Sequence, residues 1–312
     1  MTKPSLVVMA AGMGSRFGGC KQVKPIDLAG HTILDFSVYD AMRAGFGAVY
    51  FIIKEEMRAS FQETVGNRIA EHIPVCYVFQ KNEDLPSGFS CPPERSKPWG
   101  TAHALFACRN QVKGHFAVIN ADDYYGSEAF QAIFRFFTES PDDTQYGMAG
   151  YRLENTLSDY GAVSRGICRV NQDGSLLSVV EHLNIRREGQ QILSSCPDGR
   201  RVPLLPDHTV SMNFWGLSDS IFPFLEQGLA RFLSEQDSMG LCRNEYYLPS
   251  LISELIEQRL ASVRVIPTGE SWFGMTYPED YPLVCQTISS FQESGRYPKY
   301  LWAHLEERRN TL

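Results

Sequence analysis

Strand-like apolar runs alternate with helix-like stretches through the first half of the chain. This alternation limits the fold more than any other feature, because it marks a parallel sheet covered by helices. Ser5 to Ala10 reads as the first strand, Ile33 to Ala44 as a helix and Val49 to Ile53 as the next strand. Met57, Phe61, Val65 and Ile69 recur every four residues, which places one apolar stripe on a second helix. Val75 to Phe79 reads as a strand, and the proline-rich, aperiodic segment Lys81 to Trp99 as a long surface loop of the sort that borders a binding site. Thr101 to Val112 should be helical, and His115 to Asn120 should be a strand whose carboxyl end delivers Asp122 and Asp123 to solvent. Open parallel sheets bind their ligands at that end. Ser127 to Phe137 resumes helix and Gly147 to Leu153 resumes strand.

From about Ser158 the pattern changes to short strands separated by turns. Asn171-Gln172-Asp173-Gly174 is a hairpin signal between Ile167 to Val170 and Leu176 to Val180, and the region reads as an antiparallel insertion over the sheet edge. Gly189 to His208 is loop-like, Val210 to Leu217 strand-like, and helices are expected near Ile221 to Ser234, Tyr246 to Glu257 and Tyr281 to Glu293. The fold class is therefore α/β, with a mixed but mainly parallel sheet flanked by helices and an antiparallel insertion. No internal repeat, low-complexity tract or inter-domain linker interrupts it.

A net charge of -7 argues against a surface built as a whole to hold a polyanion, so any phosphate ligand must be met by a local cluster. The eight cysteines include no C-x-x-C pair, which fits neither a zinc ribbon nor a compact disulfide framework and suits a reducing, cytoplasmic setting. Nothing approaches the roughly 18 to 20 consecutive apolar residues of a membrane helix. The run Leu6 to Ala11 reads as a buried strand rather than a signal peptide, because it leads straight into glycines and charges.

The local cluster follows that strand. Ala10-Ala11-Gly12-Met13-Gly14-Ser15-Arg16-Phe17-Gly18-Gly19 puts small residues where a backbone must turn tightly and present amide hydrogens to an anion. Gly12-x-Gly14-x-x-x-Gly18 alone also suits a dinucleotide-binding loop or a plain turn. Arg16, Lys21 and Lys24 follow within the same stretch, and three cations on one glycine loop favour a phosphate cradle.

With its small-residue loop, Gly-x-Gly-x-Arg and Lys21-Gln22-Val23-Lys24-Pro25, the chain resembles the sugar-1-phosphate nucleotidyltransferases, whose core is Rossmann-like (GT-A type). Leu34-Asp35-Phe36-Ser37 and Ala44-Gly45-Phe46 look like the family's next helix, and Pro98-Trp99-Gly100-Thr101-Ala102-His103-Ala104 like its second glycine motif. The resemblance implies that Ala10, Ala11, Gly12, Gly14, Ser15, Gln22, Lys24, Gly100 and Thr101 hold the nucleotide. It implies catalysis by Arg16 and Lys21, which neutralise phosphate charge, and by Asp122, which holds magnesium. Tyr160-Gly161-Ala162-Val163, Glu181, His182, Asn213 and Glu245 fall where the family meets its acceptor, so Tyr160, Gly161, Glu181, His182, Asn213 and Glu245 are the expected acceptor residues. On this reading, residues 1–312 form one nucleotidyltransferase domain, with a nucleotide-binding half at 1–157 and an acceptor half with C-terminal helices at 158–312.

Two positions depart from the family pattern. His182 stands where many members have a lysine that meets the sugar phosphate, and Gly274 stands where many have a second metal-binding aspartate, with Glu279 and Asp280 nearby. The expected partners are a nucleoside triphosphate and a small phosphorylated acceptor, with no nucleic acid and no membrane; a homo-oligomer stays open. A cytidylyltransferase for phosphocholine or another small phosphate, a non-catalytic nucleotide-binding relative and a nicotinamide-dependent oxidoreductase are the competing readings.

Overall fold

The computed structural model describes residues 3–12, 24–139, 142–158, 160–195, 200–275, 277 and 279–303. Its strands are β1 (Ser5–Met9), β2 (Ala48–Ile53), β3 (Val75–Phe79), β4 (His115–Asn120), β5 (Asp123–Tyr124), β6 (Gln145–Arg152), β7 (Val163–Val170), β8 (Leu176–Glu188), β9 (Gln191–Ser195), β10 (Arg201–Leu204), β11 (Thr209–Ser218), β12 (Ser262–Pro267) and β13 (Phe273–Gly274). The helices are α1 (Ile33–Ala44), α2 (Arg58–Phe61), α3 (Asn67–Ala70), α4 (Thr101–Phe106), α5 (Ser127–Glu139), α6 (Ile221–Ser234), α7 (Ser238–Arg243), α8 (Leu248–Glu257) and α9 (Asp280–Glu293). A wide turn over Gln62–Gly66 joins α2 to α3, so the apolar stripe from Phe61 to Ile69 belongs to one nearly continuous helix.

The main sheet runs β10-β9-β8-β7-β11-β4-β1-β2-β3, with β6 paired to β11 and β12 paired to β6. β3, β2, β1 and β4 are mutually parallel, and β11 turns the sheet antiparallel by pairing with β4. The expected α/β fold with a mixed sheet is thus present, parallel through its central strands β3, β2, β1 and β4. Its central strands are apolar on both faces because helices cover both. Leu6 and Val8 of β1 pack with Phe36, Phe51 and Phe130 on one side, while Val7 packs with Trp99, Phe116 and Trp215 on the other.

The chain leaves β1 toward β2 and β3 and then returns to β4 on β1's other side. A crevice opens at the carboxyl ends of two strands where connections diverge in this way. The Ala121 N–H donates to the Met9 carbonyl at 3.2 Å and ties those two ends together.

Several elements differ from the sequence reading. The expected loop at Gly189 to His208 contains β9 and β10, and β8 runs on to Glu188. Charged Arg186, Arg187 and Glu188 lie on that extension, and only Ile185 of its last four residues is fully buried, so the apolar alternation fades there. The strands from β7 to β10 continue the main sheet through β11 rather than lying over its edge. β12 was not anticipated; it adds parallel to β6 with Val263 and Val265 buried. The helix expected over Thr101 to Val112 ends at Phe106 and continues as tight turns. Among the described residues no helix is long and apolar enough to cross a membrane.

Candidate active site

A cleft of about 970 Å³ opens beyond the carboxyl end of β4. Asn120, Asp122 and Asp123 line it from β4 and the turn that follows, and Ser211, Met212 and Asn213 from β11. Ser164, Arg165 and Gly166 of β7 and Val179, Glu181 and Leu183 of β8 line it as well, together with Thr101, Tyr247, Glu254 and Trp272.

The floor is a polar network set by a break in β11. Pairing with β6 shifts register between Ser211 and Trp215, and Asn213 adopts a left-handed conformation there (φ 61°). Asparagine tolerates this better than most residues. The bulge aims its side chain across the sheet: the Asn213 amide donates to Asn120 Oδ1 at 2.8 Å and accepts from Trp215 Nε1 at 2.9 Å. Asn120 in turn donates to Asp123 Oδ2 at 2.8 Å, and the Tyr125 hydroxyl lies 3.2 Å from the same oxygen. Asp123, expected to reach solvent, is instead a buried carboxylate that accepts from Asn120 and Tyr125, beside the more exposed Asp122.

β13 explains the departure at Gly274. Gly274 pairs directly across from Asp123, and a Cβ added to it would lie 2.5 Å from Asp123 Oδ1. No side chain fits at 274 unless Asp123 moves. The space that a side chain at 274 would fill is taken by the Asp123 carboxylate of β5. Among the described residues no cluster of three or more His, Cys, Asp or Glu is spaced to hold a metal. Magnesium needs no such cage; it keeps waters and takes one or two carboxylates together with substrate phosphates, which the adjacent Asp122 and Asp123 fit.

Gly100 and Thr101 build another part of the site by locking α4 to α8. Gly100 has φ +101°, and a Cβ there would lie 2.4 Å from the Tyr246 carbonyl, so both conformation and contact require glycine. The Tyr246 N–H donates to the Trp99 carbonyl at 2.7 Å, Ala102 N–H to the Tyr246 carbonyl at 3.1 Å, and Leu248 N–H to the Thr101 hydroxyl at 2.9 Å. Thr101 and Tyr247 reach the cleft through this clasp. His103, one turn on, is buried and its pKa falls to about 4 by desolvation, so the imidazole is neutral near pH 7. Its ring nitrogens bond Gln80 and the Asp84 carbonyl and pin the long 81–99 segment. Arg95 completes that anchor, stacked 3.5 Å over Trp99 and donating to the carbonyls of Pro98, Leu241 and Asn244.

Of the residues expected from sequence, Thr101, Asp122, Glu181 and Asn213 line the cleft. Burial raises the Glu181 pKa, and the nearby Arg165 charge opposes that rise. Ala10 and Ala11 are buried at the end of β1, where the Ala10 N–H is bonded to the Ile52 carbonyl, and Gly12 emerges beyond them. Lys24 lies 3.4 Å over the Tyr281 ring. Gly14, Ser15, Arg16, Lys21 and Gln22 lie outside the described residues. Four expected acceptor residues stand off the cleft wall. Tyr160 is 52% exposed, Gly161 packs against the Tyr277 ring, His182 bonds the Ser194 hydroxyl at 3.0 Å, and Glu245 is half-buried beside α8. His182 alternates with Glu181 and Leu183 along β8, and that period of two turns it away from them.

Sequence reasoning missed Asn120, Arg165, Tyr247, Glu254 and Trp272. Arg165 had a readable signal: it shares a period of two with Val163 and Ile167, both buried, so β7 carries it inward.

The sequence profile of the nucleotidyl transferase family matches residues 5–182, more than half of the chain. The chain belongs to this family. No curated protein matches this nucleotidyl transferase by sequence. Among solved structures it is similar to the inositol-1-phosphate CTP transferase from T. maritima, with a TM-score of 0.61 at 14% identity over 94% of this chain and 98% of that one. It is similar also to a UDP-glucose pyrophosphorylase complexed with UDP-glucose, with a TM-score of 0.59 at 16% identity over 93% and 99% of the two chains. HddC from Yersinia pseudotuberculosis gives a TM-score of 0.56 at 14% identity over 91% and 99%. At these identities the likeness is one of fold, extending nearly end to end in each case.

Proposed function

We propose that this nucleotidyl transferase is magnesium-dependent and joins a nucleoside triphosphate to a sugar-1-phosphate, giving a nucleotide-sugar and pyrophosphate. The observation that carries the reading is the pair Asp122 and Asp123 at the carboxyl end of β4, in one cleft with the Gly100–Thr101 clasp and the β7–β8 wall. Glu181, Asn120 and Asn213 supply the hydrogen-bonding groups that a polyhydroxylated acceptor requires.

In the reaction, an oxygen of the acceptor phosphate attacks the α-phosphorus in line. The bond from the α-phosphorus to the bridging oxygen breaks, and pyrophosphate leaves with the electron pair. The nucleophile is already ionised near neutral pH, so the protein has to align two polyanions and neutralise their charge rather than remove a proton. Arg16 and Lys21 are assigned that neutralisation on the triphosphate side. Magnesium would be held by Asp122 with Asp123 beside it and would supply Lewis-acid neutralisation of phosphate charge. The neutral, sealed His103 has no part as a base.

The test is pyrophosphate release in a matrix of nucleoside triphosphates against hexose-1-phosphates, N-acetylhexosamine-1-phosphates, inositol-1-phosphate and phosphocholine, with and without magnesium. Similarity to an inositol-1-phosphate CTP transferase is the reason for the CTP and inositol arms. Turnover confined to CTP with inositol-1-phosphate or phosphocholine would replace the sugar reading with that of a cytidylyltransferase. Nucleotide binding without release in any arm would replace it with a non-catalytic protein.

A further inference from the structure

Four carboxylates line the cleft among the described residues (Asp122, Asp123, Glu181 and Glu254), and one cation, Arg165. Glu254 is already engaged by Arg231 and by the Tyr246 hydroxyl. A phosphorylated acceptor would meet mostly negative charge on this wall, so the position of Arg165, the one cation among the described lining residues, bears on where its phosphate can rest.

Arg165 is 8% exposed, yet among the described residues no carboxylate lies within 4 Å of it. Its Nε and one terminal nitrogen donate to the Thr156 carbonyl, and the other terminal nitrogen donates to the Ser164 carbonyl at 2.8 Å. Backbone carbonyls orient a guanidinium without cancelling its charge. They use three of its five hydrogens, and one on each terminal nitrogen is left over. The guanidinium lies 4.6 Å over the Trp272 ring, and among the described residues the buried Trp272 Nε1–H has no hydrogen-bond partner. Both side chains form a wall shared by the main cleft and a neighbouring 250 Å³ cavity. The charges of Asp123, Glu181 and Asp280 all act on Arg165, so its guanidinium is near the proposed metal carboxylates and the acceptor's hydroxyl-binding carboxylate without being paired to any of them.

We propose that Arg165, stacked on Trp272, binds the phosphate of the acceptor with its two remaining N–H groups. It would thereby supply from β7 a cation that His182 of β8, turned toward Ser194, does not bring to the cleft. The proposal rests on the reading of the cleft as a phosphate-acceptor site. It identifies a substrate-contacting residue and restricts the acceptor to molecules bearing a phosphomonoester or similar dianion.

Two experiments test it. In the first, methyl phosphate is titrated into ¹⁵N-labelled protein, and the indole resonance of Trp272, assigned by its absence in Trp272→Phe, is followed. The resonance should shift on titration and stay still in Arg165→Met. In the second, with the acceptor found by the pyrophosphate screen, Arg165→Met should raise the acceptor KM by about 10- to 100-fold, the loss expected for hydrogen bonds to a charged group. The nucleoside triphosphate KM should stay within about twofold, and Arg165→Lys should recover part of the loss. A Trp272 resonance unmoved by methyl phosphate, or an unchanged acceptor KM in an Arg165→Met protein that melts like the wild type, would overturn the assignment. The titration needs no turnover, so a failed pyrophosphate screen refutes the proposed reaction while leaving the Arg165 site to be judged separately.

Discussion

Asp40 offers the most quantitative test of the packing beneath the site. It lies on α1, 2% exposed, and accepts a hydrogen bond from the Tyr297 hydroxyl at 2.5 Å. Tyr297 also bonds Tyr124, which immediately follows Asp123, so the C-terminal segment, α1 and the Asp122–Asp123 turn share one buried network. Burial raises the Asp40 pKa from 3.8 to about 7; the Tyr297 bond and the charges of Arg296 and Arg43 oppose the rise, and Glu270 adds to it. The folded chain therefore holds this proton more tightly than the unfolded chain. The resulting stability is complete below about pH 4 and is lost as the pH climbs to 7, above which the folded state carries a buried charge. A shift of about 3 units corresponds to about 4 kcal/mol in full, of which about 3 kcal/mol falls between pH 5 and pH 8. Asp40→Asn keeps the shape and an acceptor for Tyr297 but cannot ionise. Urea unfolding of both proteins across that range should show the wild type losing about 3 kcal/mol relative to the variant as pH rises. A difference that stays flat with pH, or that grows in the opposite sense, would refute the account of this network.

Three further outcomes follow from the site itself. Asp122→Ala should remove magnesium-dependent pyrophosphate release while leaving the thermal midpoint near that of the wild type, read by circular dichroism alongside the enzyme assay. Gly100→Ala places a Cβ against the Tyr246 carbonyl at a positive φ and should cost about 1–3 kcal/mol in urea unfolding, with a higher KM for nucleotide as the Thr101–Leu248 clasp shifts. Gly274→Asp brings in the carboxylate that many members of the family carry but drives it into Asp123, so turnover should fall; the double variant with Asp123→Gly should recover activity relative to Gly274→Asp alone.

Where side-chain periodicity carries the signal, the sequence was readable. The continuous apolar runs of β1, β2 and β4 announced strands buried on both faces, and the apolar run up to Ile119 placed Asp122 at a strand's carboxyl end. β9 and β10 escaped because each is only a few residues long and neither alternates: β9 sets Ile192 beside Leu193 and Ser194 beside Ser195, and Pro203 interrupts β10. The acceptor wall was legible only in part, because it depends on which way β7 and β8 turn their side chains. Glu181 and His182 are neighbours in sequence and equally polar, yet the pleat sends one to the cleft and the other to Ser194. Asp123 and Gly274 are 151 residues apart, and the exclusion of a side chain at 274 arises only from the two-residue ladder between β5 and β13. Asn120 and Asn213 belong to the same class: a left-handed bulge couples them, and spacing alone does not reveal it.

The central claim is nucleotidyl transfer to a sugar-1-phosphate in the cleft at the carboxyl end of β4. Its most direct measurement is pyrophosphate released by wild type and Asp122→Ala from nucleoside triphosphates and sugar-1-phosphates, with and without magnesium. The expected result is release from at least one such pair that requires magnesium and is lost in Asp122→Ala. Release that continues unchanged in the variant or without magnesium, or no release from any sugar-1-phosphate, would contradict the claim.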